Sequence, residues 1–182
     1  MPGRRPRRAR RARARAPLDA KAATAVAFDL LARKAWSVRD LARRLGRRGA
    51  TPEIVGAVVA DLQARGYLDD EAFARWWAQA RAERRRIGSR RLQQELRTRG
   101  IPAEVATSAI AAAFQDGPEL ERALTAGRQR LPGLRAKPER VPARLFAYLL
   151  RRGYPPSVVR QAVRELCGAD LDQTPIEDDD RV

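Results

Sequence analysis

The side chains best able to do chemistry in this chain are arginines, and the chemistry they offer is the recognition of anions. Arg81, Arg84, Arg85, Arg86, Arg90, Arg91, Arg97 and Arg99 fall within 19 positions, and Glu83 and Glu95 are the acids among them. A guanidinium presents a planar fork of donors that matches phosphate or carboxylate. A solvated helix face is the plainer reading, because arginine is a good helix former. Eight arginines against two acids repel one another unless something anionic binds, so an anion-binding patch is the stronger reading. Arg43, Arg44, Arg47 and Arg48 form a second cluster, and Arg151, Arg152, Arg160 and Arg164 a third.

Other reactive groups are scarce. The chain has no histidine and one cysteine, Cys167. That excludes Ser-His and Cys-His triads and the usual zinc sites, and leaves only carboxylates for a metal. Cys167 ends an amphipathic stretch and reads as a small apolar residue. Asp69, Asp70 and Glu71 stand where a helix should start, so capping explains them better than metal or acid/base work. There is no glycine-rich phosphate loop. No cofactor, metal or catalytic constellation is expected, and the chain does not read as an enzyme. Trp76 and Trp77 are adjacent and cannot share one helical face; one should enter the core and the other stay half exposed.

The charge agrees with a polyanionic partner. The 182 residues carry a formal net charge of +16. Residues 1–16 hold eight arginines and no acid, and residues 169–182 hold six acids and one arginine, a net of −5. The body therefore carries 16 − 8 + 5 = +13. Such an excess points to nucleic acid first. Both ends are expected to be disordered, the first as an arginine-rich tail and the last as an acidic one that folds back over the basic body. No run of 18 apolar residues exists, and the single cysteine suits a reducing, cytoplasmic setting.

These arginines must be held by helices, and the helices repeat. Around Gly49, Gly100 and Gly153 one apolar framework recurs, with leucines four and eight positions earlier: Leu45 and Leu41, Leu96 and Leu92, Leu149 and Leu145. Ile54, Val105 and Val158 follow five positions later. A period near 50 means tandem supersecondary units. Ser37, Thr51 and Asp69 or Asp70 read as N-caps, Pro52, Pro102 and Pro155 as helix openers, and Gly66 as a C′ glycine. Ala22, Ala25, Val26, Phe28 and Leu30 mark the apolar pattern of a helix over 18–33, and Asp116 should cap a helix over 117–131. A linker with an extra turn is expected over 132–138, then a helix over 139–152. The glycine between second and third helix should adopt left-handed geometry. No alternating strand pattern appears. The expected fold is all-α: three tandem three-helix, helix-turn-helix-like repeats over 17–66, 67–114 and 115–168, in an elongated, curved array.

The central stretch, Gly66-Tyr-Leu-Asp-Asp-Glu-Ala-Phe-Ala74 followed by Gly88-Ser-Arg-Arg-Leu-Gln-Gln-Glu-Leu-Arg-Thr-Arg-Gly-Ile101, resembles the signature of the RecX family, bacterial modulators of the RecA recombinase. The stretch Leu30–Leu45 is similar to that family's opening repeat. Leu145–Tyr154 and Val158–Val163 are similar to its closing one. Asp40 and Ala35–Trp36 depart from the family pattern without touching the fold argument. The resemblance makes Gly66, Tyr67, Leu68, Asp69, Asp70, Phe73, Leu92, Glu95, Leu96 and Gly100 structural signature positions. It implies a non-enzymatic, monomeric regulator that binds RecA protein and lies in the groove of the RecA–single-stranded DNA filament, with weak direct DNA binding. Inhibition of recombinase, ATPase and coprotease activities would follow, with effects on DNA repair, recombination and the SOS response. The alternative is a sequence-specific helix-turn-helix transcriptional regulator. The third helices argue against it: residues 103–113 read AEVATSAIAAA, which offers little to base edges.

Overall fold

The second helix of each unit stops in the same way. These are α2 (Val38–Gly46), α5 (Ser89–Thr98) and α8 (Val141–Arg151). Gly49, Gly100 and Gly153 follow them at φ of 98°, 82° and 86°. Each glycine N–H donates three residues back, to Gly46, Arg97 and Leu150, at 2.8–3.0 Å. The next N–H, from Ala50, Ile101 or Tyr154, donates five residues back to Leu45, Leu96 or Leu149 at 3.1–3.3 Å. This double closure satisfies carbonyls that the helix end would leave orphaned. It requires a left-handed residue, where glycine carries no Cβ penalty. The residue after each glycine is buried and draws the chain back toward the core.

The computed structural model describes residues 17–115, 117–134 and 138–168. Among them are nine α-helices and no strand, only an isolated bridge between Leu18 and Ala50. The arginine-rich head, the acidic tail and Asp116 lie outside the described residues. In the first unit α1 (Ala20–Leu31), α2 and α3 (Pro52–Ala64) are capped by Asp19, Ser37 and Thr51, whose side chains accept from the amides of Ala22, Asp40 and Ile54. Asp69, not Asp70, caps α4 (Asp70–Arg85), accepting from Glu71 and Ala72. Then come α5, α6 (Ala103–Ala113), α7 (Glu119–Arg130), α8 and α9 (Pro156–Cys167). Helix α7 starts later than expected, after Pro118, and α8 starts at Val141. The stretch between them holds two 3₁₀ turns, Leu131–Leu134 and Pro138–Arg140. Pro142 sits in the first turn of α8, where its missing N–H breaks no helical bond.

Leu41, Leu45, Leu92, Leu96, Leu145 and Leu149 are all fully buried. Each pair anchors one of three separate hydrophobic clusters. Burial of each leucine contributes about 1.5–3 kcal/mol. Helix α1 buries Leu30 and packs Val26 and Phe28 against the core as expected, but it also buries Ala23 and Ala27 and leaves Ala25 exposed. In an alanine-rich helix every face is nearly as apolar as the next, so packing against α3 sets the phase. Helix α4 likewise buries Ala74, Ala78 and Ala82 beside Phe73, where small side chains let α6 approach. The chain divides into two compact units, one ending at Leu68 and the other starting at Asp69. The second holds both the middle and the last three-helix bundles.

Candidate nucleic-acid interface

The middle and last bundles meet backbone to backbone at Gly88 and Gly153. A Cβ on Gly88 would lie 2.4 Å from the Tyr154 nitrogen and 2.5 Å from the Gly153 carbonyl carbon. The Gly88 N–H donates to the Arg152 carbonyl at 2.9 Å, and the Arg90 N–H to the Gly153 carbonyl at 3.0 Å. Side chains add three ties. Arg91 Nη1 donates to the Arg151 carbonyl at 3.1 Å, Arg152 Nη1 to the Arg85 carbonyl, and the Tyr154 hydroxyl to the Arg86 carbonyl at 3.0 Å. Burial pushes the Tyr154 phenol far above its ordinary pKa, so it stays protonated and keeps donating. Arg86 takes a left-handed conformation at φ 48°, which aims its carbonyl at that hydroxyl.

Helix α5 begins after Gly88, which has no side chain to cap it. Its cap comes from the neighbouring bundle: the Glu119 carboxylate accepts the Ser89 N–H at 2.6 Å. Burial raises the Glu119 pKa, and that hydrogen bond holds it back. Replacing Glu119 by alanine removes a charge-assisted cap, and a loss of about 1–2 kcal/mol is expected in chemical denaturation. Glu119→Gln keeps an acceptor and should lose less.

Beside this joint lies an open cleft of about 550 Å³. Arg81, Arg90, Arg91 and Arg99 line it from the middle bundle and Arg151 from the last. Gln94 and Thr98 add polar groups, and Glu95 is the one acid among the described lining residues. Glu95 Oε2 accepts from Trp77 Nε1 and from Arg81 Nε, each at 3.0 Å, and Oε1 accepts from Arg91 Nε at 3.4 Å. The indole of Trp77 stacks on Phe73 at 5.6 Å and carries two guanidiniums, Arg99 at 3.8 Å and Arg81 at 4.7 Å from its centre. So Trp77 is the inner tryptophan, and Trp76 stands 52% exposed. A smaller hollow of about 330 Å³ shares Arg151 with the cleft and adds Arg130, Arg144 and Tyr148.

The structure brings Arg81, Arg90, Arg91, Arg99 and Arg151 to one cleft, but not the whole sequence cluster. Arg84, Arg85 and Arg97 are exposed and do not line it. Arg152 is turned to the joint and lies 5.1 Å over the Tyr148 ring. Arg43, Arg44, Arg47 and Arg48 sit on α2 and its closing turn in the first unit, with Arg43 and Arg47 exposed. Gly66 ends α3 at φ 72°, Tyr67 meets Phe28 edge-on at 5.2 Å, and Leu68, Phe73, Leu92 and Leu96 are core. Glu119, Arg130, Arg144 and Tyr154 escaped sequence reasoning. Tyr154 had one local signal, its place after the repeated glycine; Glu119 had none, being 30 residues from its partner.

On α6 the exposed positions are Ala103, Glu104, Thr107, Ser108, Ala111 and Ala112. The Thr107 hydroxyl is committed to the Ala103 carbonyl at 2.8 Å. This face is poorly equipped to read base edges. Among the described residues no group of three or more His, Cys, Asp or Glu side chains is placed to hold a metal, and no helix is long and apolar enough to cross a membrane.

A regulatory protein RecX from Leptothrix cholodnii is 38% identical over 138 residues, which covers 76% of this chain and 85% of the relative. The chain belongs to the RecX family. Regulatory protein RecX from Mycobacterium avium is 34% identical over 149 residues, covering 81% of this chain and 86% of the relative. The models of the second and third three-helix domains of RecX match residues 69–110 and 118–163. The crystal structure of RecX from Lactobacillus salivarius superposes with a TM-score of 0.70 at 13% identity, over 82% of this chain and 97% of that one. A second crystal structure, of a regulatory protein RecX, gives 0.73 at 20% identity, over 80% and 73%. Both speak for the RecX fold. The cleft therefore lies between what correspond to the second and third RecX domains.

Proposed function

We propose that this RecX-family chain regulates the RecA recombinase without catalysis of its own. It binds RecA protein and lies in the groove of the RecA–single-stranded DNA filament. There it opposes strand exchange and lowers RecA ATPase and coprotease activity, restraining recombinational repair and the SOS response. It acts in the cytoplasm, as a monomer and without a cofactor. The arginine-lined cleft carries this reading: five guanidiniums face one carboxylate already engaged by three donors, a surface made for a polyanion. Exposed Arg84, Arg85 and Arg97 of the same unit extend the positive field beyond it. Membership of the RecX family supports a nucleoprotein filament as that polyanion.

Titrating the protein below the RecA concentration in a single-stranded-DNA-dependent ATP hydrolysis assay tests the proposal. Inhibition at substoichiometric amounts is the expected result. Binding to naked DNA should be weak and fall steeply with salt, by about 0.7 log units per decade for each single-strand phosphate neutralised. An unchanged hydrolysis rate up to equimolar protein would defeat it.

A further inference from the structure

We propose that Glu95 is a positioning residue, holding Arg81 and Arg91 so that the cleft offers a prebuilt site for the phosphodiester backbone of one nucleic-acid strand. Glu95 engages each arginine through Nε. That leaves the terminal nitrogens of Arg81, and Nη2 of Arg91, for a ligand, while Arg91 Nη1 is tied to the Arg151 carbonyl. The carboxylate side chain is only 17% exposed, and both its oxygens are used. Trp77 fixes it from below through Nε1 and supports Arg81 on its ring. An arginine side chain carries about 2 kcal/mol of rotamer entropy. Here much of that entropy is lost on folding rather than on binding, which favours the ligand.

The ligand class follows from what the cleft lacks. Its arginines and the Gln94 amide make it rich in donors, while the Thr98 hydroxyl proton is committed to the Gln94 carbonyl at 2.9 Å. Its one carboxylate is occupied. A peptide strand brings amide N–H groups that need acceptors, whereas a phosphodiester backbone brings acceptors alone. The choice of a nucleic-acid strand rests on the filament reading above; the positioning role of Glu95 stands on the geometry.

The test is fluorescence anisotropy of a labelled oligothymidylate with the full chain. Glu95→Gln removes a negative charge and raises the net charge by one, so an unstructured basic patch would bind more tightly. Positioning gives the opposite sign: a loss of about fivefold or more at 0.1 M salt, with the salt slope shallower by about 0.7 for each phosphate no longer neutralised. Arg81→Lys keeps the charge but cannot reach Glu95 and a phosphate at once, so it should weaken binding similarly. Far-ultraviolet circular dichroism confirms folding. If Glu95→Gln does not fold, Arg81→Lys, which leaves the Trp77 and Arg91 bonds to Glu95 in place, decides alone. Equal or tighter binding by a folded Glu95→Gln or by Arg81→Lys would overturn the role of Glu95. A poly-glutamate peptide that binds more tightly than the oligonucleotide would overturn the ligand class. Wild-type inhibition of RecA together with either outcome leaves the filament reading standing and removes only this inference.

Discussion

Replacing Gly88 by valine is expected to break the joint between the middle and last bundles, lowering stability by about 3–5 kcal/mol. The Cβ would stand 2.4–2.5 Å from backbone atoms of Gly153 and Tyr154, and backbone cannot swing aside as a side chain can. The Gly88–Arg152 and Arg90–Gly153 hydrogen bonds must part, at roughly 1 kcal/mol each, and overpacking adds about 1–3 kcal/mol. For a chain of this size that is a drop in Tm of about 10 °C. Separation of one cooperative transition into two, for the two bundles, would accompany it. Gly56→Ala is the matched control: it lies within α3, and its Cβ would meet nothing within 4 Å. It should raise stability by about 0.5–1 kcal/mol through helix propensity. A Gly88→Val protein as stable as wild type would mean the close approach is not made in solution.

Neutralising Arg84, Arg85, Arg90 and Arg91 together by alanine should reduce inhibition of RecA ATP hydrolysis sharply, by roughly 100-fold in the concentration required at 0.1 M salt. With four fewer phosphates neutralised, the single-strand salt slope would fall by about 3. Arg91 also ties α5 to the Arg151 carbonyl, so the triple variant Arg84→Ala, Arg85→Ala, Arg90→Ala separates charge from the joint. Both variants leave the buried leucines and glycines of the core untouched and should keep their helical circular dichroism. Undiminished inhibition by the folded quadruple variant would remove this surface from the functional site.

Particular residues mark where the sequence is legible. The leucines at four and eight positions before each glycine are all fully buried, and the glycines do take positive φ. Ser37, Thr51 and Asp69 cap as their types demand. Each of these signals acts within one or two helical turns, so neighbours in sequence carry it. Which alanines of α1 face inward is not legible, because alanine gives almost no amphipathic contrast. The start of α7 is off by two residues: the sequence places it at position 117, and the helix begins at Glu119. Pro118 is the N-cap and supplies no side-chain hydrogen bond, so the usual cap signal is missing there.

The arginine cluster looks in sequence like one patch of eight. In the fold it separates into arginines that line a cleft, one at the joint and others on open surface. That sorting depends on Glu95, Trp77 and Arg151. The first two lie 14 and 4 residues from Arg81 and come together across two helices, while the third belongs to another bundle.

The sequence by itself determined the all-helical plan, the three glycine closures and the cationic character, because hydrophobic period, capping and charge are local or additive properties. Only the tertiary structure decided that Gly88 must be glycine, that Glu119 caps a helix 30 residues away, and that Glu95 joins three donors at the edge of a cleft. These arise where segments distant along the chain pack together, and no periodicity or propensity within either segment encodes the meeting.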